Sequence, residues 1–287
     1  VKTAVLVTAT PTTIKTLLAT SPLPRLEAHL LLQHVLHVPR AWLIAHDTDA
    51  LPAAAIEEFL RWQNRRLQGE PIAYLLGVRE FMGHEFHVAP GVLIPRPETE
   101  LLVEQAIKVI KTSHPPSNPK PPRILDLGTG SGAIAISLAR ALPPAHITAT
   151  DASPQALHIA AGNAARLNAA VTFYQGHWYH ALPPDTAPFD LIVSNPPYIA
   201  ENDPHLDALR FEPALALTSG HDGLDAIGHL ITHAPTWLKP NGQLWLEHGH
   251  DQSHAVQTLL HQRGFERVNS LADLAGIPRV TGGCLAG

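Results

Sequence analysis

The sequence predicts an α/β protein in which a mainly parallel sheet, covered by helices on both faces, follows a small helical bundle. Three observations carry this. From residue 123 onward, short apolar β-branched runs alternate with helical stretches, the order that builds a parallel sheet. Residues 12 to about 75 lack such runs and repeat leucine at three-to-four-residue spacing instead. Between them "REFMGHEFHVAPGVLIP", residues 79–95, alternates apolar and polar side chains and reads as a hairpin.

In the bundle, Leu17/Leu18, Leu30/Leu31/Leu32, Val35/Leu36 and Ile56/Phe59/Leu60 mark helical faces, and Pro22, Pro24, Pro39 and Pro52 stand at helix starts. The hairpin turn is expected at Pro90-Gly91. "RPETELLVEQAIKVI" then continues as a helix with Pro97 in its first turn and Glu98 and Glu100 near its positive end. Residues 111–122, "KTSHPPSNPKPP", read as a polar surface connector. Strands are expected at 123–127, 146–150, 171–175, 190–194 and 242–247, and helices at 132–142, 154–168, 223–238 and 253–263. Segments 265–268 and 279–284 would close the sheet with an antiparallel edge. The expected boundaries are a helical domain over 1–78, a connecting hairpin over 79–96 and the α/β domain over 97–287.

At 287 residues the chain can bury two cores. Its net charge of −5 supplies no bulk positive field for a nucleic-acid backbone. The single cysteine, Cys284, excludes an internal disulfide framework and fits a reducing compartment. "VKTAVLVTATPTTIK" at the N-terminus is too short in apolar length for a signal peptide, and no stretch is long enough to span a bilayer. The expectation is a soluble, cytoplasmic protein. Nineteen histidines invite a metal reading, but His248, His250 and His254 lack further ligands at a zinc spacing, so none is assigned.

"ILDLGTGSGAIAISLA" runs from a strand through Gly128, Thr129, Gly130, Ser131 and Gly132 into a helix. Glycines there let the backbone turn tightly and approach a ligand at the helix N-terminus. Asp151 ends the next strand, 19 residues beyond Gly132, where a carboxylate can accept both ribose hydroxyls. Together they point to an adenosine-bearing cofactor, and leave open which one.

"LIVSNPPYIA" places Asn195, Pro196, Pro197 and Tyr198 after the fourth strand, at the edge where such sheets bind ligands. The Asn195 side-chain carbonyl and the Pro196 backbone carbonyl can accept both hydrogens of a planar NH₂ group, and Tyr198 offers a face for stacking. An amide nitrogen attacking a methyl sulfonium pyramidalises and gains positive charge, which fixed carbonyl dipoles stabilise. The product loses its proton afterwards, so no general base is required. Glu247, in "LWLEHG", is read as structural.

The blocks "GEPIAYLLGVREFMGHEFHVAPGVLIPRPETELLVE", "LDLGTGSGAIAISLA", "FDLIVSNPPYI", "FEPALALTSGHDGLDAI", "LWLEHG" and "DLAGIPRV" resemble the peptide chain release factor N5-glutamine methyltransferases, with interruptions, over residues 65–280. The resemblance implies a seven-stranded, Rossmann-like class I methyltransferase domain joined through the hairpin to an N-terminal helical bundle that binds substrate. It implies S-adenosylmethionine as donor, the glutamine of the Gly-Gly-Gln motif of class 1 release factors as acceptor, and neither a membrane nor a nucleic acid as direct partner. It also implies that Gly128–Gly132 line the methionine part of the cofactor, Asp151 its ribose and Trp178 its adenine. Asn195 would touch cofactor and substrate, and Pro196, Pro197 and Tyr198 would complete the glutamine pocket. Thr99 would approach the cofactor carboxylate, with helix capping as its alternative. His177 stands where an acidic residue is common, and Phe211 where a tyrosine is more usual. The rival readings are a methyltransferase of DNA or RNA exocyclic amines, disfavoured by the acidic balance, and a silent cofactor-binding adaptor, disfavoured by intact Asn195 and Tyr198.

Overall fold

Leucines at helical spacing close into a small core ahead of Gly77 in the computed structural model, which describes residues 12–115 and 120–287. The apolar N-terminal run falls largely on residues 1–11 and part of the proline-rich connector on 116–119, outside the described residues. The chain divides between Leu76 and Gly77 into two units, each with its own core.

The first unit holds α1 (Ile14–Thr20), α2 (Arg25–Leu36), α3 (Arg40–Ala45), α4 (Ala53–Leu67) and α5 (Ile72–Leu76). Thr13 and Thr16 cap α1 reciprocally, each hydroxyl accepting the other's backbone N–H. Leu31, Leu32, Leu43 and Phe59 fill the core, and Arg66 on α4 clamps Glu27 on α2 through two bonds of 2.7 and 3.0 Å.

In the second unit a hairpin, β1 (Val78–Phe81) and β2 (His84–His87), precedes α6 (Glu100–Ser113). There follow β3 (Arg123–Leu127), α7 (Ala133–Ala141), β4 (His146–Asp151), α8 (Pro154–Arg166), β5 (Val171–Gln175) and β6 (Phe189–Ser194). The chain ends with α9 (Asp225–Trp237), β7 (Leu238–Glu247), α10 (Ser253–Gln262), β8 (Phe265–Ala272) and β9 (Pro278–Leu285). Among the described residues the main sheet has seven strands in the order β5-β4-β3-β6-β7-β9-β8, parallel except that β9 runs antiparallel to both neighbours.

Strand alternation divides the core between the two faces. Ile124, Leu191, Val193 and Trp245 join α6 and α7 on one side. Leu125, Leu127, Ile192, Leu244 and Leu246 meet α9 and α10 on the other. β7 begins at Leu238 rather than 242, because Leu238 pairs with Phe189 ahead of a bulge.

The hairpin turn lies at Met82-Gly83, not at Pro90-Gly91. Phe81 pairs with His84, so only two residues span the turn, with φ of 51° and 74°. That is the left-handed pair a type I′ turn needs, and a proline ring cannot adopt it. Glu100 Oε1 accepts the Met82 N–H and Glu80 Oε1 the Gly83 N–H, each at 2.7 Å. Pro90-Gly91 instead forms part of the segment leading to α6, held by Gln155 Nε2 donating to the Pro90 carbonyl at 2.7 Å.

Asn163, buried on α8, binds hairpin and glycine loop together. Its Oδ1 accepts the His87 N–H at 2.8 Å, and its Nδ2 donates to the carbonyls of His87 (3.0 Å) and Ser131 (2.9 Å). Asn163→Ala would leave three backbone groups without their partner, and should lower unfolding free energy by about 2–4 kcal/mol. Denaturant unfolding of the whole chain measures this.

Candidate active site

The strand order reverses beside β3: the chain winds outward through β4 and β5, then returns to place β6 on the other side. The carboxyl ends of β3 and β6 therefore flank a crevice, where open α/β sheets take ligands. The glycine loop and the Asn-Pro-Pro-Tyr corner stand on those two ends.

Gly128, Gly130 and Gly132 have φ of +73°, +56° and +84°, which L side chains adopt only under strain. The N–H groups of Gly128 and Thr129 both reach the Thr150 carbonyl at 2.9 Å. A Cβ on Gly128 would stand 3.1 Å from the Trp178 ring, and one on Gly132 would collide with Ile136 and Ala160. Close approach to α7 and α8 is thus the reason for Gly132, and close approach to the Trp178 ring the reason for Gly128.

Asp151 Oδ2 accepts the Gly130 N–H and Oδ1 the Ser153 N–H, each at 2.8 Å, leaving further lone pairs for a ligand. Burial raises its pKa, opposed by the N–H groups of Ser153, Gly130 and Ala152 and by the nearby His177. Helix capping falls to Ser153, whose hydroxyl accepts the Ala156 N–H. Beneath the loop, Asp126 is buried and pushed up to about 7 by desolvation, although Thr129 donates to it at 2.6 Å.

A cavity of about 350 Å³ opens here, and of the sequence-predicted residues Gly128, Gly130, Asp151, Trp178, Asn195 and Pro197 line it. His177 lines it as well, so an imidazole does take the place of an acid on that wall. Trp178 sits at φ +50°, a strained conformation for a bulky residue. Thr129, Ser131, Gly132 and Pro196 are not among the lining residues.

A second cavity of about 260 Å³ includes Arg96, Asn195, Tyr198, Ile199, Leu209 and Leu217 in its wall. Leu93, Asn195 and Ala216 belong to both cavities. The two segments around them are fastened by Glu212, which accepts the Ile94 N–H at 3.0 Å and pairs with Arg96.

Asn195 Nδ2 donates to Thr99 Oγ1 at 3.1 Å, and the Tyr198 phenol donates to Glu247 Oε1 at 3.2 Å. Burial pushes the Tyr198 phenol well above its ordinary value, reinforced by the Glu247 carboxylate. Glu247 itself is pushed up to about 7 by desolvation, against hydrogen bonding from Thr99 and Tyr198. Sequence reasoning left Glu247 as structural and passed over Arg96 and Glu212. All three lie in the motif blocks quoted above, but nothing in the spacing of those blocks pairs them with their partners.

The described residues 12–77 match the family model for a PrmC N-terminal domain, and 105–211 match a methyltransferase small domain. A release factor glutamine methyltransferase of Bordetella pertussis is 54% identical over 96% of this chain and all of its own length. Its counterpart in Burkholderia pseudomallei is 49% identical over 96% of this chain and 98% of its own. This chain belongs to the release factor glutamine methyltransferase family. A methyltransferase from Pyrococcus furiosus shares the fold, with a TM-score of 0.52 at 19% identity over 79% of this chain and 99% of that one.

Because burial raises the pKa of Glu247, its protonation is linked to the stability of the fold. Its folded value of about 7 lies above the ordinary value of 4.5 for a free glutamate, so the protonated fold is favoured. The stability it contributes is full below about 4.5 and is lost as pH rises through about 7. Relative to Glu247→Gln, the wild type should lose unfolding free energy across that window and run level above it. Paired denaturation curves at several pH values test the sign.

Proposed function

We propose that this chain transfers a methyl group from S-adenosylmethionine to the side-chain amide nitrogen (N5) of the glutamine in the Gly-Gly-Gln motif of class 1 peptide chain release factors, modulating translation termination. The observation that carries it is the place of Asn195, on the shared wall of two cavities. The larger suits the cofactor: its floor is backbone without Cβ at Gly128 and Gly130, its side carries the Asp151 acceptors, and an indole face closes it at Trp178. The smaller is mostly apolar, with Tyr198 in its wall to stack on a flat amide.

When bound, S-adenosylmethionine supplies an electrophilic methyl group on sulfur. The residues of this chain orient the acceptor. Asn195 Oδ1, opposite the nitrogen committed to Thr99, and the Pro196 carbonyl accept the two amide hydrogens and hold the nitrogen in line. As that nitrogen becomes positive the same dipoles stabilise it, and the proton then passes to water. Tyr198 lays its ring against the amide. Asp151 holds the ribose, Trp178 the adenine, and the turn from Gly128 to Gly132 the methionine end. Thr129, Ser131 and Gly132 act there by shaping the backbone.

The helical unit, read here as residues 1–78, is assigned to gripping the release factor, and 79–96 to connecting it to the catalytic domain over 97–287. The relatives' names support the substrate, and the acidic charge balance favours a protein over a nucleic acid. Among the described residues no helix is long and apolar enough to cross a membrane. The reading assigns the activity to the cytoplasm, where release factors act.

Purified chain should move labelled methyl from S-adenosylmethionine onto a class 1 release factor, and not onto one whose tip glutamine is replaced. Labelling that survives the replacement refutes the acceptor. Asn195→Ala should lower kcat about 100- to 1,000-fold, the range for losing one fixed dipole at a developing charge. Asp151→Ala should weaken cofactor binding tenfold or more by calorimetry, about 1.4 kcal/mol at least.

A further inference from the structure

Of the described residues lining the smaller cavity, Arg96 alone carries a charge; apart from Asn195 and Tyr198 the others are apolar. A guanidinium in such a wall costs free energy unless it is paired. Its partner is Glu212, only 7% exposed. That carboxylate accepts from Arg96 Nη2 on Oε1 and from the Ile94 N–H on Oε2, the latter at 3.0 Å. Arg96 stands between Pro95 and Pro97 with φ −99° and ψ 143°, the extended conformation that a following proline imposes. Backbone and side chain are thus both held before any ligand arrives.

The ion pair uses only one edge of the guanidinium. An arginine head carries five N–H donors in one plane. Among the described residues Glu212 is the one hydrogen-bond partner of Arg96. Its remaining N–H groups are not sealed in the interior, and the side chain keeps 32% of its surface open. A mostly apolar cavity therefore offers, beside Asn195 and Tyr198, a fixed set of unused donors. Because Glu212 cancels the charge, they suit a neutral oxygen better than an anion, which would meet the carboxylate as well.

A glutamine within a peptide has two kinds of neutral oxygen, one on its side-chain amide and others on the main chain. Chemistry separates them. A donor on the side-chain oxygen would draw the nitrogen lone pair further into the carbonyl and weaken the nitrogen that must attack. A donor on the main chain leaves the reacting amide untouched and adds binding alone. We infer that Arg96, with one edge held by Glu212, donates from its free edge to a main-chain carbonyl of the acceptor peptide beside the glutamine. The site then reads a glutamine within a peptide rather than a bare primary amide. This rests on the methyl-transfer reading above.

Arg96→Lys keeps the charge and can still pair with Glu212, but it lacks the planar fork. It should raise KM for the release factor about 10- to 100-fold, the worth of a hydrogen bond from a charged donor. Its kcat and its Kd for S-adenosylmethionine should stay within about threefold of wild type. A purely structural ion pair would instead be restored by lysine. The readout free of release factor is the Arg96 side-chain Nε–H resonance of the full chain. Millimolar N-acetylglutamine methylamide, which carries main-chain carbonyls, should move it. Propionamide, which carries only the side-chain group, should not.

An unchanged KM in Arg96→Lys, or a loss carried by kcat alone, overturns the inference. So does a resonance that ignores the blocked glutamine or follows propionamide equally. Should Arg96→Lys fail to fold, the wild-type resonance decides. A wild type that labels no release factor, while its resonance follows the blocked glutamine, overturns the function and not this contact.

Discussion

The pairing of β3 with β6 is the constraint on which the site depends. Ile124, Leu125 and Asp126 lie opposite Leu191, Ile192 and Val193, and the Ser194 hydroxyl donates to the Leu127 carbonyl at 2.6 Å where the two strands end. This sets Asn195 level with Gly128 across the reversal of strand order. A slip of one residue would turn Leu191 and Val193 out of their core and Ile192 into it, so burial on both faces holds the register. The core thereby aligns the chemistry.

Around that seam the molecule keeps polar groups in places that cost it free energy. Asp126, Asp151 and Glu247 all have raised pKa values with desolvation as the largest cause. Each is offset by donors from a different element: the Thr129 hydroxyl for Asp126, the Gly130 and Ser153 N–H groups for Asp151, and the Tyr198 phenol for Glu247. Such bonds are worth more inside than at the surface, and they make rigid what they join. The left-handed Trp178 is a further local strain in the same cleft, and strain of this kind persists only where surroundings over-determine it.

What was legible in the sequence was local. The strands announced themselves as apolar runs, the loop by three glycines between strand and helix, and the corner by two prolines that end a ladder. The hairpin turn was misplaced because a type I′ turn here puts methionine at a left-handed position, where asparagine or aspartate would have marked it, while Pro90-Gly91 carries the ordinary punctuation of a turn. The fastening of the site was not legible at all. Arg96 meets Glu212 across 116 residues, Tyr198 meets Glu247 across 49, and Asn195 meets Thr99 across 96. A single sequence has no periodicity or spacing that reports such pairs, because they arise only when the sheet brings strand ends together.

The stiffness of the corner acquires its sense from the same pairs. Pro196 and Pro197 have no N–H, so the backbone beside Asn195 offers acceptors and no donor. A donor there would compete for Asn195 Oδ1 and repel an incoming N–H. The prolines remove that competition from the main chain, and Thr99 removes it from the side chain by accepting from the amide's own NH₂. Both devices push the corner toward one electrostatic sign. An acceptor-only corner has no use in a turn, where an Asn-Gly pair would serve at lower cost. It has a use beside a nitrogen that must carry positive charge for the moment in which its fourth bond forms.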